Sequence, residues 1–390
     1  MQFLSGIRVI EFSHMVMGPT AGLILGDLGA DVIKVEPIGG DKTRNLPGSG
    51  AGYFAMFNRN KRSITLDLKS EKGRQIAQDL LRGADVVIEN FRTGALDKLG
   101  LGPADAKALN PGVIYHSCKG FLSGPYENRT ALDEVAQMMG GLAYMTGPSG
   151  RPLRAGTSVI DMNGAMFGVI GILAALVKGG KTGQGAHIKS ALYETTAFLV
   201  GQHIAQKALT GQPAPPMPER ISAWAVYDVF DTQDAQVFIG VVSDGQWQAF
   251  CEMFNFTEWG ADPELATNPG RVAQRDRIIP ALRTFFARIT SQDLMQRLEK
   301  TGLPFAPIRR PEDLLNDPHL AEAGLADMTL PDGTTIRLPN LPVEIDGARA
   351  QVMRDPPGIG ADSDAILQEL GFDDQTSGAH VSGSSRADPY

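Results

Sequence analysis

One carboxylate in this sequence stands where it could act as a nucleophile. Asp161 precedes an apolar segment, 162–177, in which Met162, Ala165, Met166, Val169, Ile170, Leu173, Leu176 and Val177 recur at helical spacing. At such an N-cap place, backbone amides and the helix dipole keep a carboxylate ionised and partly shielded from water. A desolvated carboxylate can attack an activated acyl group. A plain helix cap is the other reading of the same residue, and position alone leaves both open. The remaining chemistry-bearing residues form no site pattern. Gly18-Pro19-Thr20-Ala21-Gly22 stands where a dinucleotide-binding GxGxxG would follow the first strand. Gly180-Lys181-Thr182 matches the tail of a phosphate loop, but Ala175 replaces its leading glycine and helix precedes it. The histidines (His14, His116, His187, His203, His319, His380) are scattered without metal-ligand spacing, so no metal site is expected. No GxSxG elbow is present.

The elements around Asp161 follow from periodicity. Short β-branched runs at 7–11, 31–35, 63–68, 85–89 and 113–116 alternate with amphipathic segments at 21–28 and 73–82. That alternation predicts an α/β fold with a parallel sheet covered on both faces, and a ligand crevice at the carboxyl ends of the strands. The segment 162–177 is apolar on nearly all sides, which predicts deep burial in a core or a subunit interface, and Gly179-Gly180 should end it. A strand at 186–189 and a helix at 193–209 follow. The Pro-rich stretch 211–218 reads as a linker. Beyond it, paired strands at 224–229 and 236–242 and helices at 245–254, 271–289 and 291–300 predict a small α+β unit. Leu330-Pro331-Asp332-Gly333-Thr334-Thr335-Ile336 is a hairpin signal, a last helix is expected at 363–370, and 374–390 should be a disordered tail.

Composition narrows the classes. The 390 residues are 43% hydrophobic and 21% charged, which excludes disorder and collagen and predicts a soluble, cytoplasmic protein. Acidic residues outnumber basic ones by 44 to 36 with no basic run, so nucleic acid is not an expected partner. Cys118 and Cys251 have no paired spacing and read as buried thiols. No uninterrupted apolar stretch of about 18–20 residues is found, so no membrane span is expected. The 45 glycines, about 12% of the chain against about 7% usually, need an explanation in turns and close approaches.

Leu4-Ser5-Gly6-Ile7-Arg8-Val9-Ile10-Glu11, Gly18-Pro19, Gly29-Ala30-Asp31-Val32-Ile33-Lys34-Val35-Glu36-Pro37, Asn58-Arg59-Asn60-Lys61-Arg62-Ser63-Ile64, Glu89-Asn90-Phe91 and Lys181-Thr182-Gly183-Gln184-Gly185 occur in that order. Together they resemble the class III CoA-transferase family of CaiB/BaiF type, which includes formyl-CoA:oxalate transferase, carnitine CoA-transferase and α-methylacyl-CoA racemase. The likeness runs from residue 4 to about 372.

The resemblance implies a Rossmann-like large domain built from both chain ends (1–212 plus 328–373), an inserted α+β domain (213–327), and an interlocked homodimer. It makes Asp161 the nucleophile of ping-pong transfer through an aspartyl anhydride and an aspartyl-CoA thioester. It implies that Val16 and Met17 line the nucleotide entrance, that Lys69 and Lys98 meet phosphates, and that Asn90 and Phe91 hold adenine or pantetheine. Pro37 stands where some relatives carry an Arg. CoA thioester is then a substrate, with no permanently bound cofactor. Leu132 occupies the place of the racemase's His and of the formyl-CoA:oxalate enzyme's Tyr, and the latter's inserted glycine run is missing after Pro218, which disfavours both as alternatives. The expected pair is an acyl-CoA such as succinyl-CoA and a dicarboxylate-like acceptor (mesaconate, citramalate, itaconate or a sulfinate analogue). Arg44, Arg154 and Arg220 are candidate cations for a second carboxylate.

Overall fold

A computed structural model describes residues 2–220 and 222–372; the tail expected at 374–390 lies outside the described residues. The described chain forms two compact units, one made of residues up to Pro218 with those from Pro318 onward, the other of Glu219–Asp317.

In the first unit, β1 (Arg8–Phe12), α1 (Met17–Asp27), β2 (Asp31–Glu36), α2 (Tyr53–Phe57), β3 (Lys61–Thr65), α3 (Glu71–Arg82), β4 (Val86–Glu89), α4 (Pro103–Leu109) and β5 (Ile114–Lys119) alternate as the periodicity predicts. After them come α5 (Asp133–Met139), α6 (Leu142–Thr146), α7 (Val159–Thr182), β6 (Ala186–Ala191), α8 (Leu192–Leu199) and α9 (Gly201–Thr210). The six strands make one parallel sheet in the order β3-β2-β1-β4-β5-β6. Chain direction across the sheet reverses between β1 and β4, which opens a crevice at their carboxyl ends. Both faces are covered. Ile10, Ile33, Val87 and Tyr115 pack under α3 and α4, while Val9, Val32, Ile88 and Ile114 pack under α1 and α7.

The second unit has its own core. Strands β7 (Tyr227–Asp231) and β8 (Gln236–Gly240) pair antiparallel and are followed by α10 (Asp244–Met253), α11 (Thr257–Ala261), α12 (Asn268–Ala273), α13 (Arg275–Phe286), α14 (Ser291–Leu298) and β9 (Phe305–Pro307), which joins β8. Trp247, Phe250, Phe254, Leu282 and Phe286 fill the space between sheet and helices. The chain returns through α15 (Pro318–Ala323), the hairpin β10 (Leu325–Thr329) and β11 (Thr335–Pro339), and α16 (Ser363–Glu369), whose Ile366 and Leu367 join the core under α3.

Three expectations are corrected. The helices predicted at 193–209 and 271–289 are each two, broken at Val200 and at Gln274. Gly179 and Gly180 do not stop α7. Glycine ends a helix by turning left-handed, and the residue that does so is Gly183 (φ 67°), whose amide closes on Gly179 O at 2.7 Å. The run without interruption is short, yet α7 has 24 residues and is long and apolar enough, by length and composition alone, to cross a membrane; Gly164, Gly168 and Gly171 interrupt the run while mean hydropathy stays at 1.8. The burial expected for α7, in a core or a subunit interface, is met within this chain along one face. Ile160, Gly164, Ala165, Gly168, Val169 and Ile172 face the sheet, while Ile170 (60% exposed) and Val177 (67%) lie on an open stripe.

Candidate active site

The β1–α1 turn is held from below by a layer of buried charge. Glu11, fully buried on β1, meets Lys61 Nζ at 2.7 Å and Lys34 Nζ at 3.3 Å. Lys34 also donates to the Ser13 carbonyl (2.7 Å) and pairs with Asp41 (3.0 Å); Lys61 donates to the Pro19 carbonyl (2.9 Å). The two ammonium groups thereby fix both ends of the turn. Burial pushes the Lys61 ammonium down to about 8, against the pull of Glu11. Two glycines make the fit possible. A Cβ at Gly18 would lie 2.4 Å from Ser13 Cβ, and one at Gly22 would lie 1.9 Å from Glu11 Oε2. Any side chain there would lift α1 off the turn.

Above this layer lies the crevice between β1 and β4. Asn90 bridges it: its Oδ1 accepts from His14 N (3.1 Å) and its Nδ2 donates to His14 O (2.6 Å). Phe91 follows, with its ring 5.5 Å from the His14 ring. Met15 takes a left-handed backbone (φ 64°) that is unusual for a side chain of its size, and its amide is held by Thr43 Oγ1 at 3.0 Å. The structure therefore brings Val16, Met17, Asn90 and Phe91 together. The side chains of Val16 and Met17 point inward, however, at 1% and 4% exposure. Val16 packs with Leu23, Phe57 and Met162, and Met17 meets Gly164 of α7. His14 and Met15, one step earlier, present the exposed surface; sequence reasoning missed them because the turn's inward and outward positions follow no period.

Asp161 stands in the first turn of α7, close to this crevice through the packing of Met162 on Val16. It is not the N-cap. That place belongs to Ser158, which makes no side-chain cap bond, and the amides of Ile160 and Asp161 are instead taken by Asp133 Oδ2 of α5, at 2.9 and 3.2 Å. Among the described residues, no hydrogen bond to the Asp161 carboxylate is found. The expectation of a comfortably ionised carboxylate is corrected with it: burial, then the charges of Asp133 and Glu134, push Asp161 up to about 7, with Arg154 pulling the other way. Leu132 directly precedes Asp133, so the position next to the site carries an apolar side chain.

The candidate cations separate. Arg154 lies near Asp161, bonded to Glu134 and 3.8 Å from Asp133. Arg44 is committed elsewhere: it forks onto Glu36 (2.6 and 2.8 Å), donates to the Pro357 carbonyl and stacks 3.6 Å over Phe54, which corrects its reading as an available substrate cation. Arg220 lies in the second unit, its guanidinium 6.0 Å from the Tyr227 ring. Lys98 is exposed on the loop that carries Asn90 and Phe91; Lys69 is exposed after β3, two strands from β1 in the sheet. Sequence reasoning also passed over Lys119 at the end of β5, which donates to the Phe91 carbonyl (3.0 Å) and pairs with Glu89 (2.7 Å).

The family model for CoA-transferase family III matches residues 4–363. A succinate–glutarate CoA-transferase of Agrobacterium fabrum is 35% identical, with 94% of this chain and 95% of that protein aligned. An acetyl-CoA:oxalate CoA-transferase of Acetobacter aceti is 34% identical over 88% of this chain and 89% of its own. Among solved structures, a CaiB/BaiF family protein from Brucella suis superposes with a TM-score of 0.84 at 34% identity, covering 95% of this chain and 99% of that one. With the sheet order, the switch-point crevice and the carboxylate on α7 in place, these likenesses agree: the chain is an enzyme of CoA-transferase family III.

Proposed function

We propose that this enzyme moves CoA from an acyl-CoA, with succinyl-CoA as the leading donor, to a small dicarboxylic acid by covalent catalysis on Asp161. The observation that carries this reading is a shielded carboxylate without hydrogen-bond donors, pushed up to about 7, beside a switch-point crevice. A carboxylate that is poorly stabilised as an anion is a more basic and more reactive oxygen nucleophile. Asp161 attacks the thioester carbonyl and expels CoA thiolate, leaving a mixed anhydride. The thiolate attacks the aspartyl carbonyl and releases the donor acid, leaving aspartyl-CoA thioester. The acceptor carboxylate attacks that thioester, CoA thiolate leaves again, and its attack on the acceptor carbonyl of the new anhydride frees the acyl-CoA and regenerates Asp161.

His14, Met15, Asn90 and Phe91 form the surface for the pantetheine arm, and Lys98 is the nearest of the predicted lysines for a phosphate. Val16 and Met17 act by fixing the turn. Arg154 is the cation beside the nucleophile, and an acceptor's second carboxylate would take it over from Glu134. The two aligned relatives are named for glutarate and oxalate, both dicarboxylates, which supports that acceptor class. CoA thioester is the substrate, and the mechanism uses no resident cofactor. The open apolar stripe on α7, with Phe198 of α8 (71% exposed) and Leu209 of α9 (86%), supports burial against a second copy of the chain.

The test is a panel of acyl-CoA donors against mono- and dicarboxylic acids, read by mass spectrometry, with intact-protein mass after donor alone. A CoA adduct on the peptide containing Asp161, and transfer to dicarboxylates, are expected. Transfer without any adduct, or adduct formation on Asp161→Asn protein, would overturn the covalent route. Sedimentation showing a stable folded monomer would overturn the dimer.

A further inference from the structure

We infer that Asp133 is the positioning residue of Asp161: from α5, its carboxylate occupies the first free amides of α7 and sets a negative charge beside a nucleophile left without donors. The inference rests on the function proposed above for Asp161. Its geometry stands apart from that function. Ordinarily the N-cap side chain satisfies the second and third amides of a helix. In α7 these belong to Ile160 and Asp161, the N-cap Ser158 side chain leaves them unmet, and Asp133 Oδ2 takes both from another helix. Asp133 is 4% exposed. Gln137 Nε2 donates to its Oδ1 and is itself fixed, because Gln137 Oε1 accepts from Ala155 N at 2.8 Å. Two backbone amides, one side-chain amide and the Arg154 guanidinium at 3.8 Å all face the Asp133 carboxylate.

Two consequences reach Asp161. The donors that could have quieted its charge are taken, and a second carboxylate faces it. The other groups near it are few. Glu134 of α5 adds to the repulsion, and Arg154 opposes it. From β5 comes the Cys118 thiol, pushed up by burial; further along α7, Met17 and Thr195 meet Gly164, His116 and Ser190 meet Gly168, and Ile188 meets Gly171, with His116 pushed down to about 4 by burial and so neutral. The push of Asp161 to about 7 agrees with this arrangement. A family-wide nucleophile at a helix start would otherwise sit in the most anion-stabilising place a helix offers. Asp133 removes that stabilisation.

The experiment is an infrared titration of the Asp161 carboxyl in the full-length protein without substrate, read as the difference between each protein and its Asp161→Asn counterpart. Asp133→Asn and Asp133→Ser both remove the charge, and the Ser hydroxyl can still accept an α7 amide, so one variant remains if the other does not fold. The midpoint should fall by about one pH unit or more in either variant, and the acidic limb of the donor half-reaction should move with it. A midpoint unchanged in the Asp133 variants, with only a lower melting temperature, would reduce Asp133 to a helix cap and overturn the inference. Because the titration needs no turnover, a failure of the CoA-transfer reading would show separately, as absent activity with the midpoint still shifting.

Discussion

Two carboxylates of the first unit, one buried and one half-buried, receive opposite treatment. Glu11, under the β1–α1 turn, is met by two lysine ammonium groups and a serine hydroxyl. Asp161, in the first turn of α7, feels two more carboxylates and accepts no hydrogen bond among the described residues. Burial costs both of them solvation; only the first is compensated. The difference separates a residue that holds a shape from one that holds reactivity. A satisfied charge fixes the backbone, here through the Ser13 and Pro19 carbonyls, whereas an unsatisfied one is an energetic liability that folding tolerates where chemistry uses it.

The contrast can be broken most severely at Asp161, the proposed nucleophile. Asp161→Asn should lower turnover by about three orders of magnitude or more while the protein still folds, because the attacking oxygen is lost at almost constant volume; circular dichroism and single-turnover kinetics would show it. Breaking the compensated side is the next largest effect. Glu11→Ala leaves the buried Lys61 without an acidic partner and Lys34 with Asp41 alone, and should cost roughly 3 to 5 kcal/mol of stability in denaturant unfolding, while Glu11→Gln should cost less. Sharpening the contrast, Asp161→Asn should also stabilise the protein. The folded pKa of about 7 lies above the unfolded value of 3.8, so the native state binds the extra proton between them and wild-type stability falls as pH rises through that window. The asparagine variant should therefore melt like the wild type near pH 4 and gain about 2 to 4 kcal/mol over it by pH 8. A variant that is less stable at pH 8 would contradict the idea that Asp161 is uncompensated. Smaller again, Asn90→Ala removes the bridge between the two crevice loops and should raise KM for the CoA thioester about tenfold with kcat less affected, as expected for about 1.4 kcal/mol of binding. Lys98→Ala should raise it only a few-fold, and more at low salt than at high.

Much of this was legible from spacing. The strand-helix alternation gave the sheet because β4, with Val86, Val87 and Ile88 all buried, can only sit in the middle of a covered sheet. Asp161 was not singled out by spacing, which leaves a plain helix cap open; the family resemblance made it the candidate nucleophile. What spacing could not give was the partner across the fold. Asp133 is twenty-eight positions upstream on another helix, and nothing in its local pattern, a carboxylate opening a short amphipathic turn, marks it as the cap of α7. Arg44 failed for the same reason: its place among charged neighbours in sequence does not reveal that Glu36 and the Pro357 carbonyl consume it. The open stripe of α7 was read as buried because hydrophobicity reports a need for cover, and that cover need not come from the same chain.

Gly22 carries a last consequence, for how such a sequence can change over time. Its missing Cβ would stand 1.9 Å from Glu11 Oε2, and Glu11 in turn pairs with lysines from two other strands. No one of these four positions can drift alone: a methyl at 22 displaces the acid, a neutral residue at 11 leaves Lys61 without an acidic partner, and a lost base takes one of the acid's two buried partners. Substitutions there must arrive together or not at all.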